Sequence, residues 1–418
     1  MCRRVLVVVL LTLVAMACGN RSDDDDSGRP SDGDTGEGGF TTDVGITDDE
    51  IRIGVIADIS GVVPGLFGAA SEAVEAYAAM VNEDGGINGR DLVVEVFDTK
   101  TTDAGNAAAY EEACPKVFAS VGSESAFDTG GLDAQRECGF PDLAGFKTDP
   151  DVQALPNVFP RVDPDYTGVG AARWFAEEFP DAVSNAAIFH GTPQVTVRAA
   201  ENLIEARESV GWVFSYRQPI APLESNYTPH ALEMQSRDIQ AFAFVADVNN
   251  IVRLQKALGQ LGYSVQVPDV STQGYTPDYL EAVGADGEGS YVPLTHALFE
   301  EADEIPALAE YIEWLEKVAP DAEPSSNGLS AWVRAKLFVE AAEAVGEDLT
   351  REKLVAELES ITDWDADGLI PPDDIGEPVP ATACFLVAQV KDGGYVRVFP
   401  DSGFHCSPDD VYKYKAGD

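Results

Sequence analysis

Four histidines, His190, His230, His296 and His405, are the side chains best suited to proton transfer near neutral pH, and they lie in unrelated contexts. None belongs to a HExxH metal motif, a G-x-S-x-G elbow or another nucleophile signature. Gly61, Gly65 and Gly68 follow an apolar run, but they are spaced neither as G-x-G-x-x-G nor as a phosphate loop ending in Lys and Ser/Thr. A dinucleotide enzyme would need pyrophosphate at the helix start that follows them, so it is a remote reading. Of the six cysteines none has the CxxC spacing, and no histidine the HxxxH spacing, that a zinc site uses. The chemistry-bearing residues thus point away from catalysis and from any metal or cofactor, and toward loops that bind.

Those loops sit in an alternating framework. Ile51, Ile53, Val55 and Ile56 form an apolar run that ends at Asp58-Ile59-Ser60-Gly61, as a strand buried on both faces would. Beyond the glycine-rich turn, Leu66, Ala70, Ala73, Tyr77 and Met80 fall on one helical face, and Glu72, Glu75 and Asn82 on the other. Asp84-Gly85-Gly86 is a left-handed stop, and Leu92 to Phe97 reads as the next buried strand. The result is a βαβ unit, and open parallel sheets bind ligands at the carboxyl ends of their strands. The same alternation runs on through Asp103 to Cys114 as helix and Val117 to Val121 as strand. It resumes from Ala186 to Val270, which predicts an α/β protein with two parallel sheets. Longer helices are expected at Asp303 to Val318 and Leu329 to Val345, and a hairpin turning at Asp392-Gly393-Gly394 near the end.

Bulk composition bounds the partners. With 73 acidic against 27 basic residues and a formal net charge of -46, the chain lacks the clustered cations that nucleic acid requires. Arg3-Arg4, the apolar run Val5 to Val14 and the small residues before Cys18 have the parts of a secretory signal, and the run is too short to span a bilayer. Cys18 stands where bacterial lipoproteins are cleaved and acylated, so residues 1–17 are expected to be removed and Cys18 to carry a membrane anchor. The alternative is an ordinary signal with a chance cysteine. Residues 18–47 are rich in Asp, Gly, Ser and Thr and read as a disordered acidic tether. In an exported protein the remaining four cysteines default to disulfides, for which three connectivities exist. Cys114 and Cys138 end successive helices around one strand, and Cys384 and Cys406 flank the hairpin, so local pairing is expected.

Ile51-Arg52-Ile53-Gly54-Val55, Ser60-Gly61, Gly65 and Gly68, followed by Val81-Asn82-Glu83-Asp84-Gly85-Gly86-Ile87-Asn88-Gly89-Arg90, closely resemble the opening of type I periplasmic solute-binding proteins, in the branched-chain amino-acid-binding branch of ABC importers. The last ten residues are the most specific part, and weaker likeness continues to the C-terminus. The resemblance implies a two-lobed type I periplasmic-binding-protein fold, each lobe a parallel sheet with helices on both faces. Residues 48–162 plus 293–370 are expected to form the first lobe, and 163–292 plus 371–418 the second.

In the resembled family a ligand carboxylate is held in the first lobe by a serine-rich loop and a small-residue/Thr loop. Ser123 and Ser125 match the first, and Gly145-Phe146-Lys147 occupies the place of the second. Helix starts suit an anion because they carry unpaired N–H groups, although either serine alone is equally a plain helix cap. Lys147 replaces a small or hydroxyl residue, which points to a more anionic ligand or a different anchor. Gln273 stands where amino-acid binders carry an acid for the ligand ammonium, and a neutral amide does not pair an ammonium as a carboxylate does. Gln194-Val195 replaces a usual aromatic, and Asp247 or Asp278 is left to substitute for the missing acid. The expected ligand walls are Ser60, Ser123, Ser125, Gly145, Phe146 and Lys147 on one side, and His190, Asp247 and Gln273 on the other. The implied function is capture of a small polar organic solute (amino acid, amide or carboxylate) by a monomer that delivers it to an ABC importer permease. A sensor of the same fold that signals to a membrane partner, or an exported nucleotide-binding enzyme, is the alternative.

Overall fold

The computed structural model describes residues 43–61, 64–192, 194–221, 224–377, 379–380 and 383–415. Cys18, the signal segment and most of the acidic tether lie outside them. The first alternating run gives β1 (Glu50–Ala57), α1 (Gly68–Glu83), β2 (Asp91–Asp98), α2 (Asp103–Ala113) and β3 (Ala119–Val121). It continues through α3 (Leu132–Cys138), β4 (Asp142–Leu143), α4 (Pro150–Gln153) and β5 (Val158–Phe159). These five strands form one parallel sheet in the order β2-β1-β3-β4-β5.

Two short strands, β6 (Val162–Asp163) and β7 (Tyr166–Gly168), lead to a second run. That run is α5 (Gly170–Glu178), α6 (Pro180–Val183), β8 (Ala186–Gly191), α7 (Gln194–Glu208) and β9 (Phe214–Ile220), then α8 (Thr228–Ser236), β10 (Ala241–Val245), α9 (Val248–Gln260), β11 (Val267–Pro268) and α10 (Pro277–Val283). Its strands form a second parallel sheet, β11-β10-β8-β9. After β12 (Tyr291–Leu294) come α11 (Pro306–Val318), α12 (Ser326–Val345) and α13 (Arg351–Leu358). The chain closes with β13 (Val379–Pro380), β14 (Leu386–Lys391), β15 (Gly394–Phe399) and β16 (Val411–Lys413).

The C-terminal hairpin forms as the sequence indicates: Asp392 and Gly393 both take positive φ, and Lys391 pairs with Gly394 across the turn. It does not extend the parallel sheet. Instead β12, β14 and β15 make a separate antiparallel sheet.

The first core draws on Ile46 to Phe159 and then on Ala297 to Ile375, so the three late helices return to the first sheet. Tyr77 of α1 meets Trp332 of α12 edge-to-face, with ring centroids 4.7 Å apart. Each such buried side chain contributes on the order of 1.5–3 kcal/mol. Ser325 caps α12 by accepting from the Gly328 N–H. On the opposite face of the sheet α2 and α3 are joined by Cys114–Cys138, and Cys384–Cys406 ties the chain around the terminal hairpin. Both pairs are the local ones.

Two boundaries differ from expectation. Asp43 to Thr47 is part of the fold rather than the tether: Ile46 is buried and bridges Ile51, and the Arg351 N–H donates to Asp43 Oδ2. The first core also runs past residue 370 to Ile375, whose carbonyl accepts the Arg161 N–H. Each short segment is held by one buried apolar residue and a few backbone hydrogen bonds, which composition does not register.

Candidate functional site

At the carboxyl end of the first sheet, three loops are bound to one another by a buried carboxylate. Asp58, after β1, accepts from Ser125 Oγ at 2.8 Å, from the Ala126 N–H at 2.9 Å and from Thr99 Oγ1. Gly61 takes φ +112°, and a Cβ there would stand 2.1 Å from the Lys100 carbonyl oxygen, so only glycine fits this turn. Ser60 is exposed and donates to Asp98 at the end of β2.

The serines expected to face a ligand are spent on this scaffold. Ser123 is fully buried, accepts from the Ile56 N–H at 2.8 Å and shares a hydrogen with Ser120 Oγ at 2.6 Å. Ser125 donates to Asp58 and accepts from the Phe127 N–H. Lys147 edges a groove beside β5, but its Nζ is turned inward, 2.9 Å from Asp142 Oδ2 and hydrogen-bonded to the Tyr110 hydroxyl. Burial opposes its charge, and the Asp142 carboxylate with Tyr110 outweighs burial and holds it above the usual lysine range. The lysine therefore neutralises an internal acid instead of presenting a cation to a ligand.

The residue between the two serines has the opposite orientation. Glu124 pairs with Ala57 on one side and Phe146 on the other, so strand alternation turns its side chain away from Ser123 and Ser125. The residue is 1% exposed, and neither carboxyl oxygen has a hydrogen-bond partner among the described residues. Gly145 leaves room for it: a Cβ at 145 would fall 2.6 Å from Glu124 Oε1. Burial pushes the Glu124 carboxyl well above its ordinary range, and Arg334 and Lys147 only partly oppose this.

Glu124, Gly145 and Phe146 open onto a cavity of ≈ 270 Å³ whose other walls are the first turns of α12 and the two crossings between sheets, at Thr295-His296 and Ile370 to Asp373. Thr272, from the 3₁₀ turn after β11, reaches it from the second lobe. Ser326, Ser330 and Arg334 recur at four-residue spacing along one face of α12. Ser330 Oγ donates to the Gly145 carbonyl, and Arg334 Nε to the Ala144 carbonyl. Arg334 Nη1 is buried without a hydrogen-bond partner among the described residues, and burial lowers the guanidinium pKa against the pull of Asp373 and Glu124. His296 Nδ1–H donates to the Ala297 carbonyl, so its Nε2 accepts from Ser326 Oγ. Burial lowers its pKa to about 4. Phe146, 43% exposed, packs against Phe67 at 5.6 Å and supplies an apolar edge.

On the second wall, His190 is the penultimate residue of β8, with Nδ1 bonded to the Gly191 carbonyl. Asp247 caps α9 by accepting from the Asn249 N–H, and Gln273 stands exposed next to Thr272. The β10–β8 register puts His190 beside Val245, so His190 and Asp247 share the carboxyl edge of that sheet. A larger hollow of ≈ 530 Å³ lies elsewhere, by Gly45, Arg52, Glu95 and Lys116, where Arg52 is already paired with Glu50 and Glu95. Among the described residues no group of three His, Cys, Asp or Glu side chains is placed to hold a metal ion.

The chain belongs to the periplasmic binding protein family, whose model matches residues 50–395. This is a family of extracytoplasmic solute-binding proteins of transporters, not of enzymes, and the two-lobed fold is its type I form. Among solved structures, the fatty acid ABC transporter substrate-binding protein from Thermomonospora curvata superposes with TM-score 0.73 at 21% identity, over 89% of this chain and 96% of that one. The leucine-binding protein LivK from Thermotoga maritima gives TM-score 0.68 at 19% identity, over 86% and 99%. LivJ from Streptococcus pneumoniae, in complex with isoleucine, gives 0.67 at 16%, over 84% and 100%. No match was found among curated protein sequences.

Proposed function

We propose that the chain is the lipid-anchored receptor of an ABC importer, which captures a small polar organic solute between its two lobes and passes it to the membrane permease. The observation that carries this reading is the cavity walled by strand-end loops, the lobe crossings and Thr272, and lined by Glu124 and Arg334, whose buried polar atoms have no hydrogen-bond partner among the described residues. Unpaired buried groups are costly to keep, and a ligand that satisfies them gains from a water-excluded site. Closure of the lobes would add His190, Asp247 and Gln273 from the second wall. The solute falls within the classes of amino acid, amide or carboxylate, and the receptor works as a monomer with no nucleic acid partner. Mass spectrometry of solute released from purified protein, followed by calorimetric titration with that solute, tests the reading. A stoichiometric small molecule that rebinds supports it; protein that carries and rebinds nothing from its native medium refutes it.

A further inference from the structure

Two residues that line the cavity carry an acceptor and a donor that nothing among the described residues satisfies. Both Glu124 oxygens and Arg334 Nη1 are buried without hydrogen-bond partners among the described residues, and both residues line the same ≈ 270 Å³ space. Folded interiors rarely leave such groups unpaired. A ligand head that enters has to donate to one and accept from the other.

We propose that this recess takes an uncharged head carrying an N–H donor beside a carbonyl acceptor, a carboxamide or urea, with N–H toward Glu124 and the carbonyl toward Arg334. This rests on the solute-binding reading above and names the ligand class. The apolar remainder of the molecule would lie on Phe146, Leu329 and Val333 of the same cavity.

Charged heads fit less well. A carboxylate satisfies Arg334 but brings a full negative charge into the recess beside the Glu124 carboxyl, and an ammonium brings a full positive charge beside Arg334. A zwitterion meets both only by carrying two full charges into a space that already disfavours charge. Burial raises the Glu124 and Asp373 carboxyls, lowers the Arg334 guanidinium and keeps His296 neutral. Its desolvation would have to be repaid in full, and a neutral amide avoids that cost.

Calorimetry on the full chain at neutral pH, with hexanamide, butylurea, hexanoate, hexylammonium and norleucine as probes, tests the assignment. The amide and urea should bind, with the other three weaker by about tenfold or more. Glu124→Leu and Arg334→Met should each weaken the amide by about tenfold, while Glu124→Gln, which keeps an acceptor oxygen, should change it by less than about threefold. Tighter binding of the acid, amine or amino acid overturns the proposal, as does amide affinity that survives both Glu124→Leu and Arg334→Met. A co-purifying solute that binds equally well to those two variants would overturn it while leaving the solute-binding reading intact. Failure of the probes and of every co-purifying solute would defeat both.

Discussion

The Lys147 ammonium lies 2.9 Å from the Asp142 carboxylate, with both side chains closed off from solvent. Removing the lysine would strand a buried acid whose remaining side-chain partners are Tyr110 and Gln135. Breaking one side of such a pair typically costs about 3–5 kcal/mol. Lys147→Met should therefore lower the denaturant midpoint markedly, and Lys147→Met combined with Asp142→Asn should recover most of the loss. Ligand affinity of the folded single variant should stay close to wild type. A variant as stable as wild type but deficient in binding would restore Lys147 to the ligand wall.

His296 gives stability a pH dependence of known sign. Its pKa is about 4 in the fold against 6.5 as the ordinary value, so between those limits the unfolded chain binds more protons. Stability contributed by the neutral ring is complete above about pH 6.5 and is lost as pH falls toward 4, by roughly 3 kcal/mol in total. Urea unfolding of wild type and His296→Gln across that window should show the wild type losing more on acidification. Parallel curves would mean that the ring is not held neutral.

The fold could be read from sequence because it rests on local patterns. Ile51 to Ile56, the helical face of Ala70, Ala73 and Tyr77, and the Asp392-Gly393 turn each signal their conformation within a few residues. The cavity could not be read in the same way, because it depends on residues about 200 positions apart. Glu124 was visible only as the residue between two serines; alternation assigns it the other face, and a lone acid at the end of a buried strand is the signal that would have singled it out. Arg334 sits in a helix buried nearly all round, where periodicity carries little orientation. His296 offers no motif at all, since its partners are Ser326 and its own neighbour's carbonyl.

The disulfide between α2 and α3 spans a sequence separation of 24. Loop-closure arguments give such a bond about 3 kcal/mol. Replacing both Cys114 and Cys138 by Ser should lower unfolding free energy by that order, and non-reducing peptide mapping of the native protein should recover Cys114–Cys138 and Cys384–Cys406. Crossed pairs or free thiols would contradict the local connectivity.

The proposed anchor rests on Cys18, outside the described residues. An acylated cysteine carrying more than one chain holds a protein firmly at a membrane. Cys18→Ser should move the protein from the membrane fraction to the soluble extracytoplasmic fraction. Unchanged fractionation would mean that something other than a lipid at this residue retains it.

Glu124→Gln separates the structural cost of the buried acid from its use in binding. The folded protein raises the Glu124 pKa well above 4.5, mainly through burial, so between the unfolded value and that elevated value the folded state holds a proton that the unfolded state has released. Wild-type stability is therefore intact in acid and falls as pH rises through this window, levelling off above the folded pKa. Glutamine keeps the shape, carries no charge and lacks the penalty. The ligand-free variant should match wild type near pH 4 and become progressively more stable than it toward neutral and alkaline pH, as read from urea unfolding at a series of pH values. The gap should narrow when a ligand that donates to Glu124 is present, because the wild-type acceptor is then satisfied. A constant difference at all pH values would show that the carboxyl titrates alike in folded and unfolded chains, and that Glu124 is not the desolvated group the cavity makes it.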